Sequence, residues 1–154
     1  MFAINYYLYP RENKYRGRMK ILMIYCERFA YNPAVKNLED AEDITNGEVF
    51  ENVQTAFIQV EEHDMENPKS SEKKLLNFIK WVARKNECKQ VVLHSFAHLS
   101  ESKADPAFTK QLFDNVEQRL ENTGYQTSQT PFGYFLDLEV KAPGFSMARV
   151  FKSF

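Results

Sequence analysis

The sequence predicts an α/β fold in which a mixed β-sheet is flanked by two main helices. Two observations carry this prediction. Two amphipathic segments with apolar residues at helical spacing lie between short apolar runs that are typical of buried strands. The end of the chain then alternates apolar and polar residues, which indicates further strands. The predicted order is strand, strand, helix, strand, helix, strand, strand.

Two strands are predicted before the first helix. The first is the continuous apolar run Lys20–Tyr25, which is typical of a buried strand. The segment Cys26–Gly47 has no periodicity, contains Asn32-Pro33 and an acidic cluster, and is predicted to be a long excursion from the sheet. Val53–Glu61 alternates between two faces after the turn signal Asn46-Gly47, and forms the second predicted strand.

An apolar stripe at helical spacing predicts the first helix. Asn67-Pro68 ends the preceding extended segment, and Ser70 or Ser71 is expected to cap a helix that runs to about Glu87. Its stripe consists of Leu75, Leu76, Phe78, Ile79, Val82 and Ala83. Trp81 lies outside this stripe and is expected to be partly buried at the domain edge, with contact to a second protomer as the alternative.

A third strand and a second helix follow. Gln90–His94 is short, apolar and β-branched, as expected for a strand. Pro106 marks the first turn of the next helix, and Asn122-Thr123-Gly124 marks its end. The apolar stripe of this helix consists of Phe108, Leu112, Phe113, Val116 and Leu120. The next extended segment starts at Tyr125.

The last strands are predicted to form a hairpin. Tyr134–Lys141 and Met147–Phe151 both alternate, and Ala142-Pro143-Gly144 lies between them. Proline and glycine are typical of the turn that joins two antiparallel strands.

Composition and charge describe one soluble domain. The chain has 154 residues, 44% of them hydrophobic, and a formal net charge of -1, so it has no global basic field that would attract nucleic acid. Cys26 and Cys88 are far apart and belong to no metal-binding pattern, which favours a reduced, cytoplasmic setting. No apolar run approaches the roughly 20 residues of a membrane span.

Residues 1–18 are rich in Tyr, Lys and Arg and lack the features of a signal peptide. They are expected to be an N-terminal extension of a single domain at 19–154.

Two short runs carry the functional information. Phe96-Ala97-His98-Leu99-Ser100 follows the third strand, and Pro131-Phe132-Gly133-Tyr134 opens a later one. Each combines a small residue, an aromatic residue and a polar group at the mouth of a strand, where folds commonly place a ligand pocket. Together with Met19–Ile24 and Thr55–Glu61, in this order, the two runs resemble the archaeal-type editing domain of threonyl-tRNA synthetase. The resemblance covers Met19 to about Phe151.

The resemblance implies a fold like that of D-aminoacyl-tRNA deacylases and a definite reaction. The implied reaction is hydrolysis of the ester that joins serine to threonine tRNA, with no metal or other cofactor. Serine lacks one methyl group of threonine, and such a difference supplies only about 1 to 3 kcal/mol of discrimination, so a second pocket must remove the error. The implied ligand is an aminoacyl-tRNA or its 3′-terminal aminoacyl-adenosine. The chain is expected to be free-standing and homodimeric, and to act in trans, with a threonyl-tRNA synthetase as a further partner.

The resemblance also names the candidate site. It places a pocket histidine at His98, a small wall residue at Ala97, and residues that flank the substrate at Phe132 to Tyr134. His98 is the candidate catalytic residue. The candidate substrate-binding residues are Ser95, Phe96, Ala97, His98, Phe132, Gly133, Tyr134 and Phe135.

The chain departs from the family pattern at two places. A Tyr-Lys pair follows the second run in the family, and Phe135-Leu136 stands there in this chain. Arg149 or its neighbour stands where the family has an acidic residue, and Lys141 or Arg149 is the alternative source of a cation. An alternative function is therefore a non-catalytic module that binds an amino acid, an aminoacyl group or a nucleotide. A third is a purely structural partner of a synthetase.

Other patterns have plainer interpretations. His94 and His98 are four residues apart but span a junction of strand and loop without a third ligand, so no metal site is predicted. Phe132, Tyr134 and Phe135 are also typical of a core, and Asp137 and Glu139 of a solvated strand face. A basic set on the first helix predicts a solvated face, with contact to RNA phosphates as the alternative. Its members are Lys73, Lys74, Lys80, Arg84 and Lys85.

Overall fold

The computed structural model describes residues 17–154, so the predicted extension at residues 1–18 lies almost entirely outside the described residues. The helices and strands are β1 (Lys20–Lys36), β2 (Glu48–Gln59), α1 (Pro68–Lys85), β3 (Gln90–Ser95), α2 (Pro106–Glu121), β4 (Gln126–Gln129), β5 (Tyr134–Lys141) and β6 (Arg149–Ser153). Short 3-10 turns precede α1 and β6. The α/β class, with one mixed sheet and two helices, is confirmed.

The sheet has six strands in the order β4-β3-β2-β1-β5, and β6 also pairs with β1. The pairs β2/β3 and β3/β4 are parallel, whereas every pair that involves β1 is antiparallel. The carboxyl ends of β2 and β3 therefore meet at one edge of the sheet. In open α/β sheets this edge is where ligands usually bind.

Two expectations about β1 and its partners are wrong. The first half of the predicted excursion Cys26–Gly47 is strand, because β1 continues to Lys36 and pairs with β2 and then β5, whereas residues 37–47 do leave the sheet. The predicted hairpin does not form, since β5 pairs with residues 28–36 of β1 and β6 with residues 20–24. One long strand thus provides the edge that both short strands use. Local turn residues cannot reveal such a partner, because it lies about a hundred residues or more away along the chain.

A phase shift keeps the same face of β1 and β2 buried along their length. Glu27 and Asn52 are left out of the ladder, and Asn52 has a φ of 51°. Cys26 and Phe29 are successive residues of β1 whose side chains lie on the same buried face, and they are three positions apart instead of the usual two. Periodicity fails at this point in the sequence, which is why the strand is hard to recognise beyond Tyr25.

Two apolar layers lie on opposite faces of the sheet. One packs the sheet against both helices through fully buried residues such as Ile58 of β2, Ile79 of α1 and Val116 of α2. The other lies on the face without helices and is built around Phe29 and Phe57, with further residues partly buried against it, among them Phe96 and Leu136. No helix within residues 17–154 is long and apolar enough to cross a membrane.

Both helix starts depend on an Asn or Asp cap followed by proline. Asn67, rather than Ser70 or Ser71, caps α1, and its side chain accepts a hydrogen bond from the Ser70 amide (3.1 Å). Asp105 caps α2 in the same way, through the amide of Ala107 (2.8 Å). Proline suits the first position of a helix because its missing N–H would have no partner there.

Candidate functional site

A cavity of about 280 Å³ lies at the carboxyl ends of β2 and β3, beneath the start of β5 and beside the first turn of α2. All eight residues of the candidate substrate-binding set line it. They are Ser95, Phe96, Ala97, His98, Phe132, Gly133, Tyr134 and Phe135. The two sequence runs, more than thirty residues apart, therefore meet around one space.

Gln59 fixes the shape of the loop that carries His98. Its side-chain oxygen accepts from the Leu99 amide (2.6 Å), and its nitrogen donates to the carbonyls of Ser100 (2.8 Å) and Ser102 (2.7 Å). Gln59 is 2% exposed, so these bonds form away from bulk water. We call residues 96–103 the histidine loop. One buried side-chain amide at the end of β2 thus holds three backbone groups of this loop.

A buried ion pair supports the same loop. Glu61 is fully buried and receives a hydrogen bond from the Lys20 amine (2.6 Å) and another from the Ser100 hydroxyl. The Lys20 amine also lies 3.3 Å from the Ser100 oxygen. A buried carboxylate is tolerated only when it is paired in this way. Strand β1, the end of β2 and the histidine loop are thus joined by one polar network.

The second run forms the opposite wall. Gly133 has a φ of 84°, and its carbonyl accepts from the amides of Asn37 (2.8 Å) and Leu38 (3.2 Å). A Cβ at this position would lie 2.9 Å from the Cβ of Ala41, so glycine is needed both for the conformation and for the close approach. The Tyr134 hydroxyl donates to the Glu42 carbonyl (3.0 Å) and accepts from an amide of the same segment. Tyr134 therefore contributes its ring to the cavity while its hydroxyl holds the loop after β1.

The two histidines of the cavity have different environments. His94 is buried on β3, its Nδ1 lies 2.8 Å from the Thr130 hydroxyl, and burial lowers its pKa from 6.5 to about 4. Its ring is therefore neutral at physiological pH. His98 is exposed on the histidine loop, and its ring packs edge-on against Phe96 at 4.9 Å between centroids. Of the two, His98 is the one that solvent or a ligand can reach.

Lys103 is a cation of the cavity wall that the sequence analysis did not select. It lines the cavity from the end of the histidine loop, is exposed, and has no ion-pair partner among residues 17–154. Lys141 and Arg149, the alternatives considered from the sequence, do not line the cavity, and Lys141 pairs with Glu27 (3.3 Å). Leu136 lines it as an apolar wall. The signal for Lys103 is only its closeness in sequence to the first run, five residues after His98.

The chemical groups on the cavity walls are few. Among the described residues they include one exposed imidazole, one neutral buried imidazole, one amine and several hydroxyl and amide groups, but no carboxylate. No group of three His, Cys, Asp or Glu side chains within the described part of the chain is placed to hold a metal ion. An imidazole and an amine are suited to proton transfer and to stabilisation of an oxyanion.

A second, larger cavity of about 830 Å³ adjoins the first. The two share a wall that consists of Leu38, Pro106, Pro131 and Phe132. The second cavity is lined by four carboxylates and a single lysine, Lys110, which makes it unfavourable for a phosphate group. The polar chemistry suited to an ester lies in the first cavity.

Comparisons with known proteins identify the family. Residues 19–154 match the family model of the Archaea-specific editing domain of threonyl-tRNA synthetase. The chain is 30% identical over 142 residues to the threonine--tRNA ligase of Hyperthermus butylicus, a match that covers 88% of this chain and 23% of that protein. The corresponding ligase of Nitrosopumilus maritimus is 30% identical over 132 residues, 84% of this chain and 20% of that protein. This chain thus spans about a fifth of the length of these relatives.

Structure comparison shows that the fold is shared more widely. The solved c-Myc DNA Unwinding Element Binding Protein superposes with a TM-score of 0.65 at 9% identity, over 86% of this chain and 97% of that one. The mixed sheet with two helices is therefore a fold that this chain shares with that protein. At such low identity the similarity concerns the fold alone. The family is given by the sequence match over residues 19–154, and the chain belongs to the Archaea-specific editing domains of threonyl-tRNA synthetase.

Proposed function

We propose that this chain is an aminoacyl-tRNA deacylase that removes serine from mischarged threonine tRNA, acting in trans. The observation that carries the proposal is the convergence of seven residues from the two sequence runs on one cavity of about 280 Å³. This volume lies near the lower end of the range for small-molecule sites, which suits an aminoacyl group better than a whole nucleotide. The 3′-terminal adenosine would then remain at the mouth of the cavity.

The reaction is hydrolysis of an ester by water. Water attacks the ester carbonyl, a tetrahedral oxyanion forms, and the ribose oxygen leaves and takes up a proton. His98 is exposed and lines the cavity, so it is the candidate to accept a proton from water and to return it to the ribose oxygen. Lys103 is the candidate to stabilise the oxyanion, because its amine has no partner in residues 17–154. No carboxylate of the described cavity wall competes with these roles.

Selectivity would come from the size of the cavity. Threonine carries one more methyl group than serine, and forcing that methyl against a packed wall that cannot move costs about 1 to 3 kcal/mol. Phe96 and Phe132 form part of this wall, and each is packed against another ring. A rigid wall is what such an exclusion requires.

A homodimer is part of the proposal, and so is a cytoplasmic location in contact with a threonyl-tRNA synthetase. The sheet face without helices leaves apolar side chains exposed on β5 and β6, among them Leu138 (39%), Val140 (43%) and Phe151 (55%). Apolar side chains grouped in this way favour contact with another protein surface. Leu138 also lines the cavity, so a second protomer on this face would lie next to the site. Cys26 and Cys88 are free thiols, as expected for a reducing compartment.

The second candidate function is binding without hydrolysis. Leu136 is an apolar wall residue at the position where the sequence resemblance implies a lysine, and no carboxylate lines the described cavity. A site that retains its shape but lacks enough charged groups would still bind an aminoacyl-nucleoside or a free amino acid. This function differs from the first only in the chemical step.

A deacylation assay separates the two. Serine, threonine and D-amino-acid esters of the tRNA are incubated with the wild-type chain and with His98→Ala, Lys103→Met and Lys103→Met/Leu136→Lys. We expect the serine ester to be hydrolysed about fivefold to 150-fold faster than the threonine ester, a loss of at least tenfold in both single variants, and partial recovery in the double variant. Lys89→Met is the matched control, because Lys89 lies at the opposite end of β3 over the Tyr125 ring. If no ester is hydrolysed while a non-hydrolysable seryl-adenosine analogue still binds, the chain is a binding module.

A further inference from the structure

The solvent face of α1 is strongly basic although the whole chain carries a net charge of -1. Its cationic residues are Lys69, Lys73, Lys74, Lys80, Arg84 and Lys85. The only acidic residue of α1 is Glu72, which is engaged by Arg119 of α2 (2.7 Å) and by Asn115 (3.1 Å). None of the six cations forms an ion pair with any residue between 17 and 154. The positive charge of this helix is therefore uncompensated by the part of the chain that is described.

The six cations share one side of the helix. At 3.6 residues per turn they fall within an arc of roughly 160°, whereas the buried stripe that includes Leu75 and Val82 occupies the opposite side. From Lys69 to Lys85 the basic face is about 24 Å long, at 1.5 Å per residue. We call this surface the α1 basic face.

Trp81 lies within the same arc, between Arg84 and Lys74. It is 42% exposed, and its ring stacks on Phe78 with 5.9 Å between centroids and 25° between planes. Phe78 in turn packs edge-on against Phe154 at 5.9 Å. The exposed indole is thus held in place by a packed pair of rings. A rigid, exposed aromatic ring among cations is the arrangement by which proteins stack unpaired bases beside a phosphate backbone.

We propose that the α1 basic face binds the phosphodiester backbone of an RNA, with Trp81 stacked on an exposed base. Charge complementarity favours a polyanion, since the cations are unpaired within residues 17–154 and follow one side of the helix. A membrane surface fits less well, because the apolar side of α1 is already buried against the sheet and only one large apolar residue of this helix, Trp81, faces outward. The inference rests on the proposed function only in taking the RNA to be the tRNA whose ester is hydrolysed.

The position of α1 suits that RNA. Ile58, Gln59 and Val60 at the end of β2 line the cavity, and α1 begins at Pro68, after one 3-10 turn. The basic face therefore starts at the same edge of the sheet as the cavity and runs away from it. An RNA with its 3′ end at the cavity would have its backbone available to successive turns of α1.

Fluorescence tests the inference directly, since Trp81 is the single tryptophan of the chain. Titration with unacylated tRNA is expected to quench Trp81 emission and to give a Kd that rises steeply with salt. The variant Lys73→Gln/Arg84→Gln should raise the Kd at least tenfold and reduce the slope of log K against log[salt] by about 1.4 to 1.8, which is the loss of two phosphate contacts. Lys141→Gln on β5 is the control for a change of charge elsewhere.

Replacement of Trp81 should change tRNA binding in a different way from replacement of the cations. Trp81→Ala should weaken tRNA binding about fivefold to 150-fold and leave the salt slope unchanged, whereas Trp81→Phe should recover most of the affinity. Binding of these variants is followed with labelled tRNA. Unchanged thermal unfolding of each variant shows that the fold is intact.

Three outcomes overturn the inference. The first is an unquenched Trp81 at saturating tRNA, and the second is an equal Kd for Lys73→Gln/Arg84→Gln and Lys141→Gln. The third is that Lys73→Gln/Arg84→Gln loses binding to phosphatidylserine vesicles while its binding to tRNA stays intact, which would assign the face to a membrane. Hydrolysis of a seryl-adenosine ester by the wild-type chain tests the proposed function separately, because that substrate has no phosphodiester backbone for α1 to bind. The two proposals can therefore fail independently.

Discussion

Gln59 is expected to stabilise the histidine loop more than any other single side chain. Replacement by leucine removes three hydrogen bonds, from the Leu99 amide and to the carbonyls of Ser100 and Ser102. At about 1 kcal/mol each, the loss is about 3 kcal/mol of unfolding free energy. Leucine keeps the volume and gains apolar burial, so the effect comes from the polar bonds.

Gln54 provides the matched control, because it is a fully buried glutamine on the same strand. It accepts one hydrogen bond, from Asn86 (2.8 Å), and its nitrogen has no partner in residues 17–154. Gln54→Leu should therefore cost only about 1 kcal/mol, and the gain from apolar burial cancels between the two variants. Urea unfolding at pH 7 measures both. Equal unfolding free energies for Gln59→Leu and Gln54→Leu would refute the reasoning, and so would an unchanged deacylation rate in Gln59→Leu.

Two further predictions concern the cavity walls. Burial lowers the pKa of His94 from 6.5 to about 4, so the unfolded chain binds a proton before the folded one does as the pH falls. The contribution of His94 to the free energy of unfolding should be complete above pH 6.5 and should fall by about 3 kcal/mol as the pH is lowered to 4. This pH dependence should be lost in His94→Leu and kept in His63→Gln. Gly133→Ala should cost about 2 kcal/mol because of its φ of 84° and its contact with Ala41, whereas Gly144→Ala, with open space around it, should be neutral in thermal unfolding.

The fold was predictable where the local periodicity of the sequence agrees with the way the strands pair. The helices follow their apolar stripes, and β2, β3 and β5 lie within a few residues of the predicted segments. The second half of β1 was not predictable, because the phase shift at Glu27 breaks its periodicity and its partner β5 is distant in sequence. Pairing with remote strands is a tertiary effect that overrides local preference.

The residues that line the candidate site were predictable from the sequence, whereas the residues that hold the histidine loop in place were not. Both motif runs contain residues that line the cavity, and they share a position at strand ends. Gln59 and Glu61, which hold the histidine loop, look in sequence like ordinary polar ends of a strand. Their importance arises from burial, and burial depends on how the loop folds back over the end of β2.

The position of Lys103 also depends on the residues that hold the histidine loop. Leu136 belongs to β5 and packs against the apolar cluster around Phe29, so a charge at that position would have to compete with this packing. Lys103 instead lies between two anchored residues, since Gln59 binds the Ser102 carbonyl (2.7 Å) and the Ala104 amide donates to the Val60 carbonyl (2.9 Å). The backbone on either side of Lys103 is therefore fixed, and its amine can be placed reproducibly at the cavity. In this chain the positions of both His98 and Lys103 depend on one loop, so loosening that loop should weaken together the two roles proposed for them, proton transfer and oxyanion stabilisation.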